Sequence, residues 1–227
     1  MPVHPRAAAA ILSDISYQAK VKSKTWSPLR LISIDPMASL LQTLQVLLKE
    51  KVHRLPIIDK DTGNVFAILT HLRLLVFLHT NFLKHQGRGI EMFKLKLSQL
   101  EIGTKTSVAA IQEDTPLISV LNIFCERRIS ALPVVDQVGK VVDLYRKHDA
   151  MNLARDRSYN NLDVSVSVAL RRRKKYNGVQ TCEIGDTLGD VVDKLVTASV
   201  HRLVIVDSHN FLIGIVSLSD LLGFLFS

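Results

Sequence analysis

Two histidine–arginine pairs stand in identical settings, Val52-His53-Arg54-Leu55 and Val200-His201-Arg202-Leu203, each directly before a short apolar run closed by an aspartate. Cations at matched positions before two strands can converge on an anion, and a phosphoryl group suits them because charge-assisted hydrogen bonds to its oxygens are strong. The competing reading is a pair of solvated strand entries. A third basic element, Arg171–Lys175, reads RRRKK; it fits a solvated loop, a nucleic-acid contact or phosphate capture. Two carboxylates recur as well. Asp149 and Asp220 each lie thirteen residues beyond a strand-closing aspartate, Asp136 and Asp207, near the start of a helix. Beyond Asp59 the turn is one residue longer and the matching residue is Arg73. A cation there cannot accept hydrogen bonds from hydroxyl groups.

The elements that position these residues come from one 26-residue pattern present three times without a gap: Ile34–Asp59, Ile111–Asp136 and Cys182–Asp207. Repetition at this scale marks stacked supersecondary units. Each copy opens as a strand and turns into a capped helix. Ser39 with Gln42 makes a capping box, Thr115 caps with Pro116 at the first helical position, and Thr187 caps with Asp190 in the first turn. Apolar residues then recur at helical spacing: Leu40, Leu44, Leu47 and Leu48; Leu117, Val120, Leu121 and Phe124; Leu188, Val191, Val192 and Leu195. The runs LPII, LPVV and LVIV read as strands buried on both faces. After each aspartate come a short turn and a second strand (Val65–Leu69, Val141–Leu144, Leu212–Val216), then a second helix beginning near Thr70, Lys147 and Ser219. The unit is β-α-β-β-α, its middle strands joined as a hairpin, and the fold class is α/β (α+β). Units this small need to pack on one another.

The 227 residues carry a formal net charge of +8 with 47% apolar residues, a globular composition with an anionic partner in view. No run of about 18 apolar residues is present, so no membrane span is predicted. The start, MPVHPRAAAAIL, is too weak for a secretory signal and is expected to be a disordered extension over 1–16. Cys125 and Cys182 form no C-x-x-C, and a reducing intracellular compartment fits best.

The β-α-β-β-α unit with its LPVVD-type strand and the S-x-S-D element resembles the cystathionine-β-synthase (CBS) motif. Within that family, VHRLPIID, SALPVVD, YNNLDVSV (Tyr159–Val166) and VHRLVIVD with GIVSLSDLL are similar to the gamma regulatory subunits of AMP-activated protein kinase, over roughly Ile15 to Phe226. The resemblance implies tandem CBS motifs at 17–85, 97–158 and 166–227, matching the family's second, third and fourth. The first of four has no counterpart. Copies two and three would then form the complete, pseudo-symmetric pair. Copy one would be unpaired and expose an apolar face unless another chain covers it, so self-association is expected to be open to it.

A nucleotide asks for cations and helix amino termini at its phosphate, a carboxylate at its ribose diol and an apolar slot for its base. The resemblance implies those roles residue by residue. Asp149 and Asp220 would hold ribose hydroxyls; His53, Arg54, His201, Arg202 and Arg173 would hold phosphate. Ser130 and Ala131 would line an adenine slot. Thr104, Ala109, Ser130, Ala131 and the run Ser217, Leu218, Ser219, Asp220 match the family's most buried site. Asp149, Arg173, His201 and Arg202 match a second, with Arg146, Lys147, His148 and Gln180 around the base, of which Arg146, His148 and Gln180 are changed from the family's preferences. His53, Arg54 and Thr70 remain of a third site, which lacks the expected lysine at Leu72 and is expected not to bind nucleotide as a single chain.

Catalytic signatures are lacking: no H-E-x-x-H, G-x-S-x-G, P-loop or G-x-G-x-x-G, and His71, His79 and His85 have no metal spacing. The chain is read as a non-enzyme that needs no metal of its own. What the resemblance implies is an energy-sensing subunit that binds AMP, ADP or ATP and regulates a catalytic alpha subunit alongside a scaffolding beta subunit, in the cytoplasm with the nucleus also open. One alternative is a degenerate CBS assembly module with weak or no nucleotide binding. A nucleic-acid-associated protein is the other; at 6% aromatic residues it would have little stacking surface, and nucleic acid is not the expected partner.

Overall fold

The computed structural model describes residues 31–83, 91–150, 164–173 and 178–226. The expected extension at 1–16, Tyr159–Asp163, Lys174, Lys175 and His85 lie outside them.

Each copy shows the first helix and the hairpin that the pattern predicts, although the central strand of copy one is only partly buried, at Leu55 fully and at Pro56, Ile57 and Ile58 in part. In copy one, helix α1 (Leu40–Lys49) leads to strands β1 (Arg54–Ile58) and β2 (Val65–Thr70) and helix α2 (His71–Leu78). Copy two has β3 (Ile111–Gln112), α3 (Leu117–Glu126), β4 (Ala131–Val135) and β5 (Val141–Arg146), with helix again at Lys147–Ala150. A short helix, α4 (Val166–Arg171), follows. Copy three has β6 (Thr181–Glu183), α5 (Leu188–Thr197), β7 (Arg202–Val206), β8 (Leu212–Ser217) and α6 (Leu218–Leu225). The sheets run β1-β2, β3-β4-β5 and β6-β7-β8. In the first, Ile34 adds only a parallel bridge to Ile57.

The caps explain where helices start. Ser39 and Gln42 exchange both hydrogen bonds of a capping box, as do Thr187 and Asp190. Thr115 behaves differently from the expectation. Pro116 is the N-cap, with no side-chain cap, and the Thr115 hydroxyl instead accepts from the Gln112 N–H at 3.0 Å. Pro116 sits in extended backbone at ψ 141°, which postpones the helix by one residue. The first helix of every copy ends before a residue in the left-handed region, Lys51, Arg128 and Ser199 at φ 52°, 52° and 51°. The same exit is thus built three times.

The chain divides into two compact units. One comprises Ala109–Val179 with His209–Leu212, the hairpin turn of copy three. Its core is that of copy two, with Val120, Leu121 and Leu132 buried around a stacked Phe124–Tyr145 pair at 6.3 Å. The other unit comprises Pro28–Val108 with the rest of copy three, Gln180–Ser208 and Ile213–Ser227. There Leu44 and Leu47 of α1, Leu74 and Leu75 of α2, Val191 and Leu195 of α5, and Leu221 and Leu222 of α6 form one buried cluster. Each such side chain taken out of water contributes about 1.5–3 kcal/mol. The helical face of copy one is therefore covered within the chain. Copy one still exposes apolar side chains, at Val65, Phe66 and Ile68 on the strands and at Leu41 and Phe77 on the outer sides of its helices.

Candidate functional site

The residue before each central strand meets the first turn of its own second helix. The His201 carbonyl accepts the Leu218 N–H at 3.0 Å, and the Ser130 carbonyl accepts the Lys147 N–H at 3.0 Å. In copy one Arg54 pairs across the hairpin with Thr70, the N-cap of α2. This register brings the basic strand entries beside helix amino termini, where partial positive charge gathers.

In the unit of copies one and three, that geometry assembles three histidines. His53 and His71 meet edge to face, with ring centroids 5.4 Å apart and Nδ1 atoms 3.5 Å apart. Ser219 Oγ lies 3.5 Å from His71 Nδ1. Burial, then the neighbouring His53 and His201, lowers the His71 pKa from 6.5 to about 4. Its Nε2 is buried without a hydrogen-bond partner. In the sequence His71 has no spacing that names a partner; the Thr70 cap directly before it is the one local sign that it opens a helix.

Thr104 and the run Ser217–Asp220 belong to this same unit. Thr104 is joined to Ile215 through both main-chain groups, at 2.8 and 2.9 Å. Ser217 and Asp220 close a capping box in which Asp220 Oδ2 accepts from the Ser217 N–H at 2.9 Å and from its hydroxyl at 2.7 Å. Asp220 is exposed, and its Oδ1 has no partner among the described residues. At the matching position of copy one, Arg73 turns back so that its Nη1 donates to the Ile68 carbonyl at 2.7 Å. The Gln180 carbonyl accepts the Val204 N–H, tying the entry of copy three to β7.

In the unit of copy two, Ala109 is partly buried against the core and Ala131 pairs with Arg146 across the sheet, next to Ser130 and Lys147. Here the structure departs from the simple expectation of a free carboxylate and a free phosphate ligand. Asp149 Oδ2 accepts from the Arg146 N–H at 2.9 Å and Nε at 3.1 Å, and its Oδ1 accepts from Arg146 Nη2 at 3.2 Å. Arg173 Nη2 stands 3.1 Å from the same Oδ2. Arg173 also donates to Asp143 at 3.0 Å and to the Leu144 carbonyl at 2.6 Å. Asp143 was not singled out in the sequence, since an acid inside a strand carries no spacing that names its partner. Tyr145, whose hydroxyl is buried without a partner, is pushed up by burial with the Asp149 charge adding to it. His148 is exposed.

Among the described residues no group of three or more His, Cys, Asp or Glu could hold a metal. Cys182 is buried, which pushes its thiol up to about 12 and keeps it unreactive. No helix in the described residues is long and apolar enough to cross a membrane.

The CBS domain model matches residues 27–80, 100–156 and 177–227, so the chain belongs to the CBS domain family. Over 193 residues, 85% of the chain, it is 45% identical to the gamma-3 subunit of 5'-AMP-activated protein kinase of Homo sapiens and 44% identical to that of Bos taurus. The chain spans 39% of the length of either relative. Among solved structures, a protein of Methanocaldococcus jannaschii aligns at a TM-score of 0.62 with 18% identity, over 86% of this chain and 67% of that one. A conserved protein of Pyrococcus horikoshii aligns at 0.60 with 19% identity, over 86% and 79%. At such identities these structures speak for the fold.

Proposed function

We propose that this chain is a non-catalytic regulatory module that binds AMP, ADP or ATP and changes how an associated kinase catalytic subunit is held. The observation that carries the reading is the convergence of His53, His71 and Ser219 from copies one and three, beside Asp220 with one carboxylate oxygen uncommitted. Identity of 44–45% to gamma-3 kinase subunits supports it. In this reading the histidines, Arg54 and Arg202 face the phosphates and Asp220 takes the ribose diol, with Thr104 beside it. Regulation then needs only that AMP, ADP and ATP differ in affinity for two states of a complex, and the number of phosphates meeting the basic cluster supplies such a difference. The partners are a catalytic alpha subunit and a scaffolding beta subunit, in the cytoplasm with the nucleus also open.

Calorimetric titration of the folded protein with AMP, ADP and ATP tests this. Binding that weakens at least tenfold in Asp220→Ala, with the fold retained by circular dichroism, is expected. A folded protein that binds none of the three ends the reading. A second function, assembly without nucleotide, is favoured by one observation: Asp149 and Arg173 already neutralise each other. On the leading reading that position therefore contributes little affinity, and Asp149→Asn changes nucleotide binding less than Asp220→Ala.

A further inference from the structure

The three copies differ in the residue that enters the central strand. Copies one and three have His53 and His201 six residues before the strand-closing aspartate, and copy two has Ser130 at that position. Arg127 and Arg128 stand three and two residues upstream of Ser130. The local fold presents all three side chains. Helix α3 ends at Glu126 with Arg127 as its C-cap, and Arg128, at φ 52°, turns the chain away from the helix. Arg127, Arg128 and Ser130 are exposed, while Ile129 is half-buried against the core of copy two and anchors the segment.

Two guanidinium groups at a set distance from a hydroxyl are a pattern that an acidic cleft can read, because hydrogen bonds from arginine to carboxylates are strong and directional. The surroundings also suit the charge that a phosphoryl group would add. The Ser130 carbonyl accepts the Lys147 N–H at 3.0 Å, and the next residue, Ala131, pairs with Arg146 across the hairpin. The nearby Asp149 carboxylate is already held by Arg146 and Arg173. A phosphoryl group on Ser130 would therefore stand beside Lys147 and Arg146, and opposite charges so placed order a phosphorylated segment.

We infer that Ser130 is a phosphorylation site for an arginine-directed serine kinase. Ser130 Oγ attacks the γ-phosphorus of ATP while its proton passes to the base of that kinase. The bond from the γ-phosphorus to the β–γ bridging oxygen breaks, and ADP leaves. Ala131 with Arg146 is the end pair of the β4–β5 ladder, so the strand frays there first as the serine enters the kinase cleft. The modification sets an anion where copies one and three carry histidine, which reverses the charge at that position of the repeat. It is independent of nucleotide binding.

The intact, folded chain is incubated with ATP and the catalytic subunit of cyclic-AMP-dependent protein kinase, a kinase of this class. It should gain a phosphate that fragmentation mass spectrometry locates on Ser130, and Ser130→Ala should abolish that signal. Replacing both arginines, Arg127→Ala with Arg128→Ala, should slow the reaction at least about tenfold, the loss of a hydrogen bond to a charged group, with the circular dichroism of the parent retained. Because Arg127 caps α3, Arg128→Gln alone gives a second reading and should slow it in the same direction. Three outcomes overturn the proposal: no phosphate on Ser130, phosphate there only in a heat-unfolded chain, or a rate indifferent to both arginines. Phosphate confined to Ser158, which has Arg155 three residues before it, overturns it as well.

Discussion

Arg173 Nη2 and Asp149 Oδ2 lie 3.1 Å apart, each side chain only 4% exposed. The two residues come from different elements, and both oxygens of the carboxylate are already engaged by arginine. Asp220 occupies the same position of copy three in the open, with only its capping hydrogen bonds. One repeat position thus serves as a buried ionic clasp in one copy and as an exposed helix cap in another.

The two aspartates should differ in their weight for stability. Removing one partner of a buried ion pair leaves the other uncompensated, so Asp149→Ala should cost about 3 kcal/mol. Asp220→Ala loses a solvent-exposed cap and should cost about 1 kcal/mol. Urea midpoints of the two variants check this, and equal losses would mean that the clasp is not buried in solution.

His71 makes stability depend on pH. Its imidazole titrates near 4 in the folded chain against 6.5 unfolded, because burial and the neighbouring histidines oppose the charge. Between those values the unfolded state binds the proton and the folded state does not. Stability therefore falls as pH drops from 6.5 toward 4 and levels off below, by at most about 3 kcal/mol. Above 6.5 the group contributes nothing to the slope. Denaturant melts at pH 7.5 and 4.5 should separate the parent from His71→Gln, whose loss across that interval is smaller.

Gly103 and Gly63 share positive φ, at 77° and 72°, in different surroundings. A Cβ on Gly103 would stand 2.5 Å from the Ile215 carbonyl oxygen, while one on Gly63 would meet nothing within 4 Å. Gly63→Ala should cost about 1 kcal/mol for its backbone conformation alone. Gly103→Ala adds a collision with main chain that cannot move without breaking the Thr104–Ile215 bridge, and should cost more than about 2 kcal/mol. Thermal unfolding of the two variants measures the difference.

What the sequence made legible was local. The capping boxes of Ser39 with Gln42 and of Thr187 with Asp190 involve residues three apart, and helix geometry alone brings them together. The apolar stripe of α1 announced that Leu44 and Leu47 are buried. It could not announce what buries them, since periodicity names a face and not its partner. The covering helices α5 and α6 lie more than a hundred residues later. The same limit hid the meeting of His53 and His71, and the clasp that ties Arg173 to Asp143 and Asp149. Thr115 erred in the other direction: its residue type fits a cap, but the extended backbone of Pro116 moved the helix start beyond it.

The shared cluster of Leu44, Leu75, Val191 and Leu222 has a consequence for biosynthesis. Chains emerge from the ribosome at about 5–20 residues per second. Copy one therefore waits on the order of ten seconds before the segment that completes its core has been made. During that interval the leucines of α1 and α2 face water or a chaperone, while copy two, with a core of its own, can already close. Of the three repeats, the one made earliest is completed only together with the one made last.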